Sequence, residues 1–240
     1  MNRKTRSSYL HSTLLGIAAA ALTLVISAAQ AQTPSGEEPV WQGWSSPGQL
    51  PKGWTIANGV LSKDGPVDDL ISQKLYGNVE LQLEWKIGRA GNSGVFYRGT
   101  HEYNHIYWSA PEYQLLDDAN APDGAKRVTA SASAYGLYAV PAGIVKPFGE
   151  WNTTRIIVTG SHVEHWLNGT RVVVYELGSS DWRAKVAQSK FAAYPHYGLA
   201  KEGYIGIQGD HPGSLAVRNV RIRDCLLYTS ATRFHRCSKR

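Results

Sequence analysis

The sequence predicts an all-β protein, a jelly-roll β-sandwich with one short helix. Apolar and polar residues alternate with a period of two, most clearly over 81–87, and glycine and proline separate the short segments throughout. Helical periodicity is scarce. Further strands are predicted at 94–98, 112–116, 136–140, 154–159, 162–167, 171–175, 204–208 and 215–223. A closed barrel is the lesser alternative.

Local signals define several turns and the helix. Asn168-Gly169 lies between two apolar runs, which is a strong signal for a two-residue hairpin, and Asn58-Gly59 is a second candidate. The apolar phase of the last strand slips near Asn219, which predicts a bulge there. The helix is predicted over 182–191, with Asp181 as its N-cap.

The first 31 residues have the parts of a secretory signal peptide. A basic start precedes an apolar core over 14–26, and Ala29-Gln30-Ala31 fits an A-x-A cleavage site. The apolar run is short for a membrane anchor, and no stop-transfer pattern follows it. We expect cleavage before Gln32, no membrane attachment afterwards, and export to the periplasm or beyond.

One domain is predicted between two ends of different composition. Residues 32–39 are a polar linker, and residues 40–224 have the length of a single domain. Residues 225–240 break the strand pattern and hold both cysteines. This tail resembles a translated adapter or a frame-shifted sequence more than a folded element. A tail closed by a disulfide is the alternative.

The net charge of +6 comes from the two ends of the chain. Residues 1–31 and 225–240 together carry seven of the 25 Lys and Arg residues and no acid, which leaves 18 bases against 19 acids in the body. A body with this balance does not indicate a nucleic-acid partner.

The most informative stretch is Glu112-Tyr113-Gln114-Leu115-Leu116-Asp117, read with Asn92-Ser93-Gly94-Val95-Phe96-Tyr97-Arg98 before it. Side chains alternate faces along a strand, so Glu112 and Gln114 point the same way, whereas Asp117 falls on the opposite face unless the strand ends or bulges. A carboxylate beside an amide, with Arg98 on a nearby strand, suits a hydroxyl-rich ligand such as a sugar.

Aromatic residues crowd the segment just before Glu112. Trp108 lies in a loop-like stretch over 101–111 with Tyr103, His105 and Tyr107. This stretch is a candidate platform on which a sugar ring could stack, with simple packing as the alternative. Trp85 and Trp166 lie in alternating strands and are predicted to be core residues.

Seven segments, in order, resemble the 3-keto-disaccharide hydrolase domain family and cover about residues 40–224. They are Gly91-Asn92-Ser93-Gly94-Val95-Phe96-Tyr97-Arg98, Pro111-Glu112-Tyr113-Gln114-Leu115-Leu116-Asp117, Gly149-Glu150-Trp151-Asn152, Val163-Glu164-His165-Trp166-Leu167-Asn168-Gly169, Ser189-Lys190-Phe191, Gly203-Tyr204-Ile205-Gly206-Ile207-Gln208 and Val217-Arg218-Asn219-Val220-Arg221-Ile222. The chain departs from the family after the penultimate strand, where Gln208-Gly209-Asp210-His211-Pro212-Gly213 has an extra glycine and a proline.

The resemblance implies a concanavalin-like sandwich of two antiparallel sheets and cleavage of glycosides already oxidised to a ketone at C3. Such a ketone acidifies the C2 proton, so elimination of the C1 leaving group followed by addition of water becomes possible. That route needs a base, an electrophile at the C3 oxygen and a proton donor to the leaving group.

Candidate residues come from the matching segments. Glu112 is the leading acid or base. Arg98 could stabilise the enolate or simply pair with Glu112, and His211 could shuttle a proton or be an ordinary loop histidine. Residues expected to bind substrate are Asn92, Gln114, Asp117, Trp108, His165 and Gln208. Of these, Asp117 could instead cap a turn, and a structural role is the stronger alternative for His165.

Other functions stay open from the sequence. A non-catalytic carbohydrate-binding module on the same sandwich is one, and an endo-glucanase with paired carboxylates is another. No cofactor motif is evident, although Ca²⁺ or another divalent cation could bind near Asp68-Asp69 or Asp117-Asp118. A separate oxidoreductase would have to supply the ketone.

Overall fold

A computed structural model describes Met1 and residues 36–225 of the 240-residue chain. The predicted signal peptide apart from Met1, the first half of the predicted linker, and all but the first residue of the predicted tail lie outside the described residues.

Two antiparallel sheets form the domain. The five-stranded sheet has the order β1 (Trp41–Gly43), β4 (Leu70–Tyr76), β11 (Gly203–Ile207), β6 (Asn92–Gly99) and β7 (Glu112–Leu116). The seven-stranded sheet has the order β10 (Thr170–Glu176), β9 (His162–Leu167), β8 (Asn152–Thr159), β5 (Val79–Ile87), β12 (Ser214–Asp224), β3 (Val60–Asp64) and β2 (Trp54–Ala57). The predicted antiparallel sandwich is therefore confirmed.

Helical structure is confined to short segments in the described residues. The helix α1 spans Ser180–Ala187, and 3₁₀ helices span Ile106–Trp108, Pro122–Ala125 and Lys190–Ala193. Ser179 is the N-cap of α1, and its side chain accepts a hydrogen bond from the Trp182 amide. The prediction of Asp181 as the cap was wrong because the helix begins at Ser180, two residues before the predicted start at residue 182.

The core lies between the facing sheets, and strand alternation decides which side chains enter it. On β5, Leu81, Leu83, Trp85 and Ile87 are buried, whereas the residues between them are partly exposed. The Trp85 indole donates a hydrogen bond to Thr154 Oγ1 at 2.9 Å, so its one polar atom is satisfied inside the core. Burial of each large apolar side chain contributes roughly 1.5–3 kcal/mol.

Some strand predictions were wrong or missing. Residues 136–140 form turns, with an isolated bridge between Ala134 and Tyr138, because glycine and small residues let this segment fold back on itself. The strands β1 to β4 were not predicted, since Trp41–Gly43 and Trp54–Ala57 are too short for a periodic signal.

The predicted turns and bulge are confirmed. Asn58 and Gly59 have φ of 52° and 72°, and Asn168 and Gly169 have φ of 50° and 80°, as a type I′ hairpin requires. The β12 register against β5 shifts between Arg218 and Arg221, and Asn219 has φ of 54°. This is the bulge that the slipped apolar phase predicts.

Replacing Asn168 with alanine should destabilise the domain more than the same change at Asn58. Asn168 accepts a hydrogen bond from the Thr153 amide (2.9 Å) and donates to the Ile144 carbonyl (2.9 Å). The Asn58 side chain makes no hydrogen bond among the described residues. We expect Asn168→Ala to lower the free energy of unfolding by about 1–3 kcal/mol more than Asn58→Ala in denaturant titrations. Equal losses would show that the turn conformation alone matters.

Candidate active site

A cavity of about 220 Å³ lies on the outer face of the five-stranded sheet, over β6 and β7. On β7, Tyr113 points inward and contacts the other sheet, accepting a hydrogen bond from Thr154 Oγ1 at 2.8 Å. Glu112 and Gln114 therefore point outward into the cavity. The lining residues are Asn92, Tyr107, Trp108, Glu112, Gln114, Tyr135, Lys190, Gln208 and His211.

The Glu112 carboxyl is buried at the base of this cavity. Burial raises its pKa to about 8, and the nearby carboxylates of Asp210, Asp69 and Asp123 raise it further, while the Lys190 ammonium acts in the opposite direction. A carboxyl with such a pKa exchanges its proton near neutral pH, which suits a general acid or base.

Gly94 on the neighbouring strand makes space for this carboxyl. A Cβ atom at Gly94 would lie 2.2 Å from Glu112 Oε1 and 2.8 Å from Glu112 Cδ. The Gln114 amide also contacts the carboxyl. With its nitrogen on that side, it donates to Glu112 Oε1 at 2.9 Å and to the Ser93 carbonyl at 3.0 Å. The carboxyl is thus held between a glycine and an amide.

Lys190 supplies a cation to the same cavity. It begins the 3₁₀ helix Lys190–Ala193, and the preceding Ser189 caps that helix by accepting from the Phe191 amide. The Lys190 Nζ lies 4.4 Å from the ring centre of Tyr135 and 5.7 Å from that of Trp108. Two aromatic faces therefore hold the ammonium beside the cavity.

His211 lies in a loop that is held in place by hydrogen bonds to Lys63 and Asp69. The buried Lys63 ammonium donates to the carbonyls of His211 (2.7 Å), Gly65 (3.1 Å) and Gly213 (3.2 Å). Gly209 donates its amide to Asp69 Oδ1 at 2.6 Å. The extra glycine that departs from the family pattern is sterically required here, because a Cβ atom at Gly209 would lie 2.4 Å from the Asp68 carbonyl oxygen.

Two carboxyls beside this loop influence the cavity. Burial raises the pKa of Asp69 to about 7. Burial, with Asp210 and Asp69 next to it, raises the pKa of the Tyr107 hydroxyl to about 12. The Oδ1 atom of Asp210 and the Oε1 atom of Gln208 are buried acceptors without a hydrogen-bond partner among the described residues. Of these two residues, Gln208 lines the cavity, where its unfilled acceptor calls for a donor from a ligand or water.

Two residues of the aromatic stretch before Glu112, Tyr107 and Trp108, line this cavity. Trp108 lines the cavity and stacks on Tyr194 with ring centres 4.3 Å apart and planes within 11°. Tyr107 meets Trp108 edge-on at 4.8 Å and stacks on His105 at the same distance. Part of this aromatic surface is therefore engaged in internal stacking.

Six of the predicted site residues line one cavity, namely Glu112, His211, Asn92, Gln114, Trp108 and Gln208. Arg98 does not. Its backbone has φ of 57°, and its side chain turns to the Gly77 carbonyl (2.9 Å) and Asn78 Oδ1 (3.3 Å). This left-handed turn, which a strand pattern does not reveal, directs the guanidinium away from Glu112.

Asp117 and His165 also lie outside the cavity. Asp117 follows β7 and accepts from the Ala90 amide (2.8 Å) and the Asn120 side chain (2.7 Å), so it fixes a turn. His165 lies between the sheets, donating from Nδ1 to the Ala132 carbonyl and accepting at Nε2 from the Tyr97 hydroxyl, each at 2.9 Å. Burial lowers the pKa of His165 to about 4, which keeps it neutral.

The sequence-based prediction did not include Lys190, Tyr107 and Tyr135 as site residues. Lys190 stands in the matching segment Ser189-Lys190-Phe191, and Tyr107 stands in the aromatic stretch before Glu112, so a signal existed for both. Tyr135 follows a run of small residues, and no local pattern indicates its position.

The acids predicted as candidate cation ligands are engaged by protein donors. Asp68 accepts from the Ser45 amide and hydroxyl, and Asp118 accepts from the Ser131 amide. Across residues 36–225, no group of three or more His, Cys, Asp or Glu side chains is arranged to hold a metal ion. Within the same range, no helix has the length and apolar character to cross a membrane.

Comparison with protein families gives a match over residues 36–223, to the 3-keto-alpha-glucoside-1,2-lyase-like domain. The chain belongs to this family. A relative from Bacteroides thetaiotaomicron, named 3-keto-disaccharide hydrolase, is 35% identical over an alignment that covers 76% of this chain and 73% of the relative. The resemblance seen in the sequence is confirmed.

Solved structures agree with the family. A Parabacteroides distasonis protein classed provisionally as a glycosyl hydrolase superposes with a TM-score of 0.71 at 32% identity, over 77% of this chain and 88% of that one. A second protein of that organism, classed in the same way, superposes with a TM-score of 0.62 at 25% identity, and the alignment covers 78% of this chain and 100% of that one. A Bacillus subtilis protein with a galectin-like fold gives 0.51 at 11% identity, over 77% and 89%, and shows the fold alone.

Replacing Glu112 with glutamine should stabilise the protein at high pH. The folded state holds the Glu112 proton up to a pKa of about 8, whereas the unfolded carboxyl loses it near 4.5. Wild-type stability therefore falls as pH rises through this window, and the variant lacks that loss. We expect the advantage of Glu112→Gln in free energy of unfolding to grow from pH 5 to pH 8 and then to level off.

Denaturant titrations at several pH values measure this difference. Glu150→Gln is the matched control, since Glu150 is an exposed glutamate that does not line the cavity. A pH-independent difference for Glu112→Gln would show that the carboxyl titrates normally in the folded protein.

Proposed function

We propose that this protein cleaves the glycosidic bond of 3-keto disaccharides or related 3-keto glycosides by elimination followed by hydration. The observation that carries the proposal is that Glu112 is the only carboxylate among the nine residues lining the cavity, and its pKa is about 8. A single carboxyl with high proton affinity suits removal of a C–H proton. It does not suit a double displacement, which needs two carboxylates flanking the bond.

In the proposed reaction, the Glu112 carboxylate removes the proton from C2, next to the C3 ketone. The electrons of the C2–H bond move onto the C3 oxygen as an enolate. They return to expel the glycosidic oxygen from C1, which gives an enone and a leaving alcohol. Water then adds at C1 and a proton returns to C2, so the net change is hydrolysis.

Lys190 takes the electrostatic role that the sequence assigned to Arg98. Its ammonium lines the same cavity as Glu112, and its charge acts on the Glu112 carboxyl. An ammonium near the C3 oxygen would stabilise the negative charge that develops there. Arg98 cannot do so, since its guanidinium turns to Gly77 and Asn78.

His211 is the proposed proton donor to the leaving oxygen. Its imidazole lines the cavity at the partly exposed rim, and its backbone is held by the Lys63 ammonium. A histidine can be protonated or neutral near pH 7, which lets it give a proton in one step and recover it in the next.

Amides and an aromatic wall would bind the sugar. Asn92, Gln114 and Gln208 line the cavity with groups that suit hydroxyls, and Gln208 Oε1 has no partner within the described part of the chain. A sugar hydroxyl would supply the missing donor. Trp108 offers a ring edge on which the sugar could pack.

Three further parts of the proposal rest on the sequence. Residues 1–31 direct export of the chain to the periplasm or beyond. A separate oxidoreductase forms the C3 ketone, since no cofactor motif is present in the sequence. A divalent cation such as Ca²⁺ could assist the reaction, and the assay below includes EDTA to test it.

Incubation of the full chain with a 3-keto disaccharide, followed by mass spectrometry, tests the proposal. We expect release of a 3-keto monosaccharide or its enone and no cleavage of the unoxidised disaccharide. Glu112→Gln should lower kcat/KM by about 10²–10⁴-fold, the usual contribution of a general acid or base. Gly94→Ala should also lower it, because the added methyl displaces the carboxyl. Glu150→Gln is the control.

The outcomes separate the three candidate functions. Cleavage of unoxidised glucan would favour an endo-glucanase. Saturable sugar binding, seen by tryptophan fluorescence, without turnover in any EDTA or metal condition would favour a binding module. Full activity of a folded Glu112→Gln variant would remove Glu112 from the mechanism.

A further inference from the structure

A second cavity, of about 460 Å³, lies at one end of the sandwich. Four connections converge there: Gly77–Asn78 between β4 and β5, Gly160–Ser161 between β8 and β9, Leu177–Gly178 after β10, and residues 198–201 before β11. Arg98 is the only strand residue that lines it. This cavity shares no lining residue with the cavity that holds Glu112.

The distance along β6 separates the two cavities. Arg98 lies four residues beyond Gly94, which is about 13 Å along an extended strand. The Arg98 side chain then reaches toward the β4–β5 turn. In the strand order of this sheet, β4 and β7 lie on opposite sides of β6. The second cavity is therefore a separate feature and was not used in the proposed reaction.

Arg98 is buried without a counter-charge. It is 5% exposed, and its two side-chain hydrogen bonds go to the Gly77 carbonyl and to Asn78 Oδ1, both uncharged. No carboxylate in residues 36–225 pairs with it. A buried guanidinium is nearly always paired, because removing its charge from water is costly.

The backbone of Arg98 is also in a costly conformation. Its φ of 57° lies in the left-handed region, which a long side chain seldom adopts. This conformation is what brings the guanidinium out of the strand plane and into the cavity. A strained residue that delivers an unpaired charge to a cavity is typical of a binding site.

The rest of the lining matches an anion better than a cation or an apolar ligand. Lys201 adds a second positive charge, and no acid belongs to the lining. Two acids adjoin the lining without belonging to it: Glu176 accepts a hydrogen bond from Ser161 at 2.5 Å and pairs with His162, and Glu202 follows Lys201. Leu177 and Leu199 supply apolar walls, which would strengthen an ion contact by excluding water.

We propose that this second cavity binds an oxyanion, with the Arg98 guanidinium as its main contact and Lys201 at its rim. Phosphate, sulfate and carboxylate share the geometry that a guanidinium recognises through paired N–H donors. The group could belong to an inorganic ion or to an acidic saccharide. The proposal does not depend on the proposed function, because it concerns binding at a site remote from Glu112.

Isothermal titration calorimetry of the full chain with sodium phosphate, sodium sulfate and sodium glucuronate, each at ionic strength matched with NaCl, tests the proposal. We expect saturable binding of at least one of these anions. Binding of phosphate or sulfate alone would identify a tetrahedral ion, and binding of glucuronate would identify an acidic sugar.

Variants decide where the anion binds. Arg98→Lys should weaken binding about tenfold or more, since lysine cannot form the paired contact. Lys201→Ala should weaken it several-fold. Leu199→Glu should abolish binding by placing a carboxylate in the cavity, while Leu199→Gln, the neutral control, should retain it. Leu199 is half exposed, so both changes should leave the fold intact even if Arg98→Lys does not.

Two results would overturn the proposal. One is the lack of saturable binding of all three anions beyond the NaCl control. The other is binding that survives both Leu199→Glu and Lys201→Ala unchanged, which would place the anion elsewhere. Loss of 3-keto disaccharide turnover, in contrast, would leave the anion titrations unaffected, so the two proposals fail independently.

Discussion

The alternation of side chains along β6 and β7 is the constraint on which the core and the cavity both depend. On β7, Tyr113 and Leu115 enter the core, and Glu112 and Gln114 between them form the cavity. A shift of one residue in register would bury the carboxyl among apolar side chains and expose the aromatic ring. The antiparallel pairing of Phe96 with Glu112 and Gly94 with Gln114 fixes that register.

Burial on this sheet surface gives the cavity its chemistry. The same carboxyl in water would be ionised at neutral pH, whereas Glu112 holds its proton up to a pKa of about 8. Gly94 leaves the space that permits this burial, and neighbouring acids oppose ionisation. Such a group is costly for stability, and sites that carry function commonly show this conflict.

The loop over 208–213 shows a second way in which the core supports the cavity. Lys63 belongs to β3 in the seven-stranded sheet, but its ammonium donates to two carbonyls of this loop, those of His211 and Gly213, and also to the Gly65 carbonyl. Asp69 holds the Gly209 amide from just before β4. The imidazole of His211 therefore projects from a loop that is fixed by buried charged groups, and this favours a defined position at the rim over a mobile one.

The sequence by itself determined the strand-rich fold, the two Asn-Gly hairpins, the bulge at Asn219 and the placement of Glu112 and Gln114 on the same face of one strand. Each of these features depends on residues close in the chain. The sequence could not determine where Arg98, Asp117 and His165 point. Arg98 is directed by its left-handed φ, Asp117 by its role in capping a turn, and His165 by its position between the two sheets. Each of these features depends on contacts with residues distant in sequence. Likewise, only the tertiary structure brings Lys190 to Glu112, since the two residues are 78 positions apart in the chain and their packing leaves no local pattern.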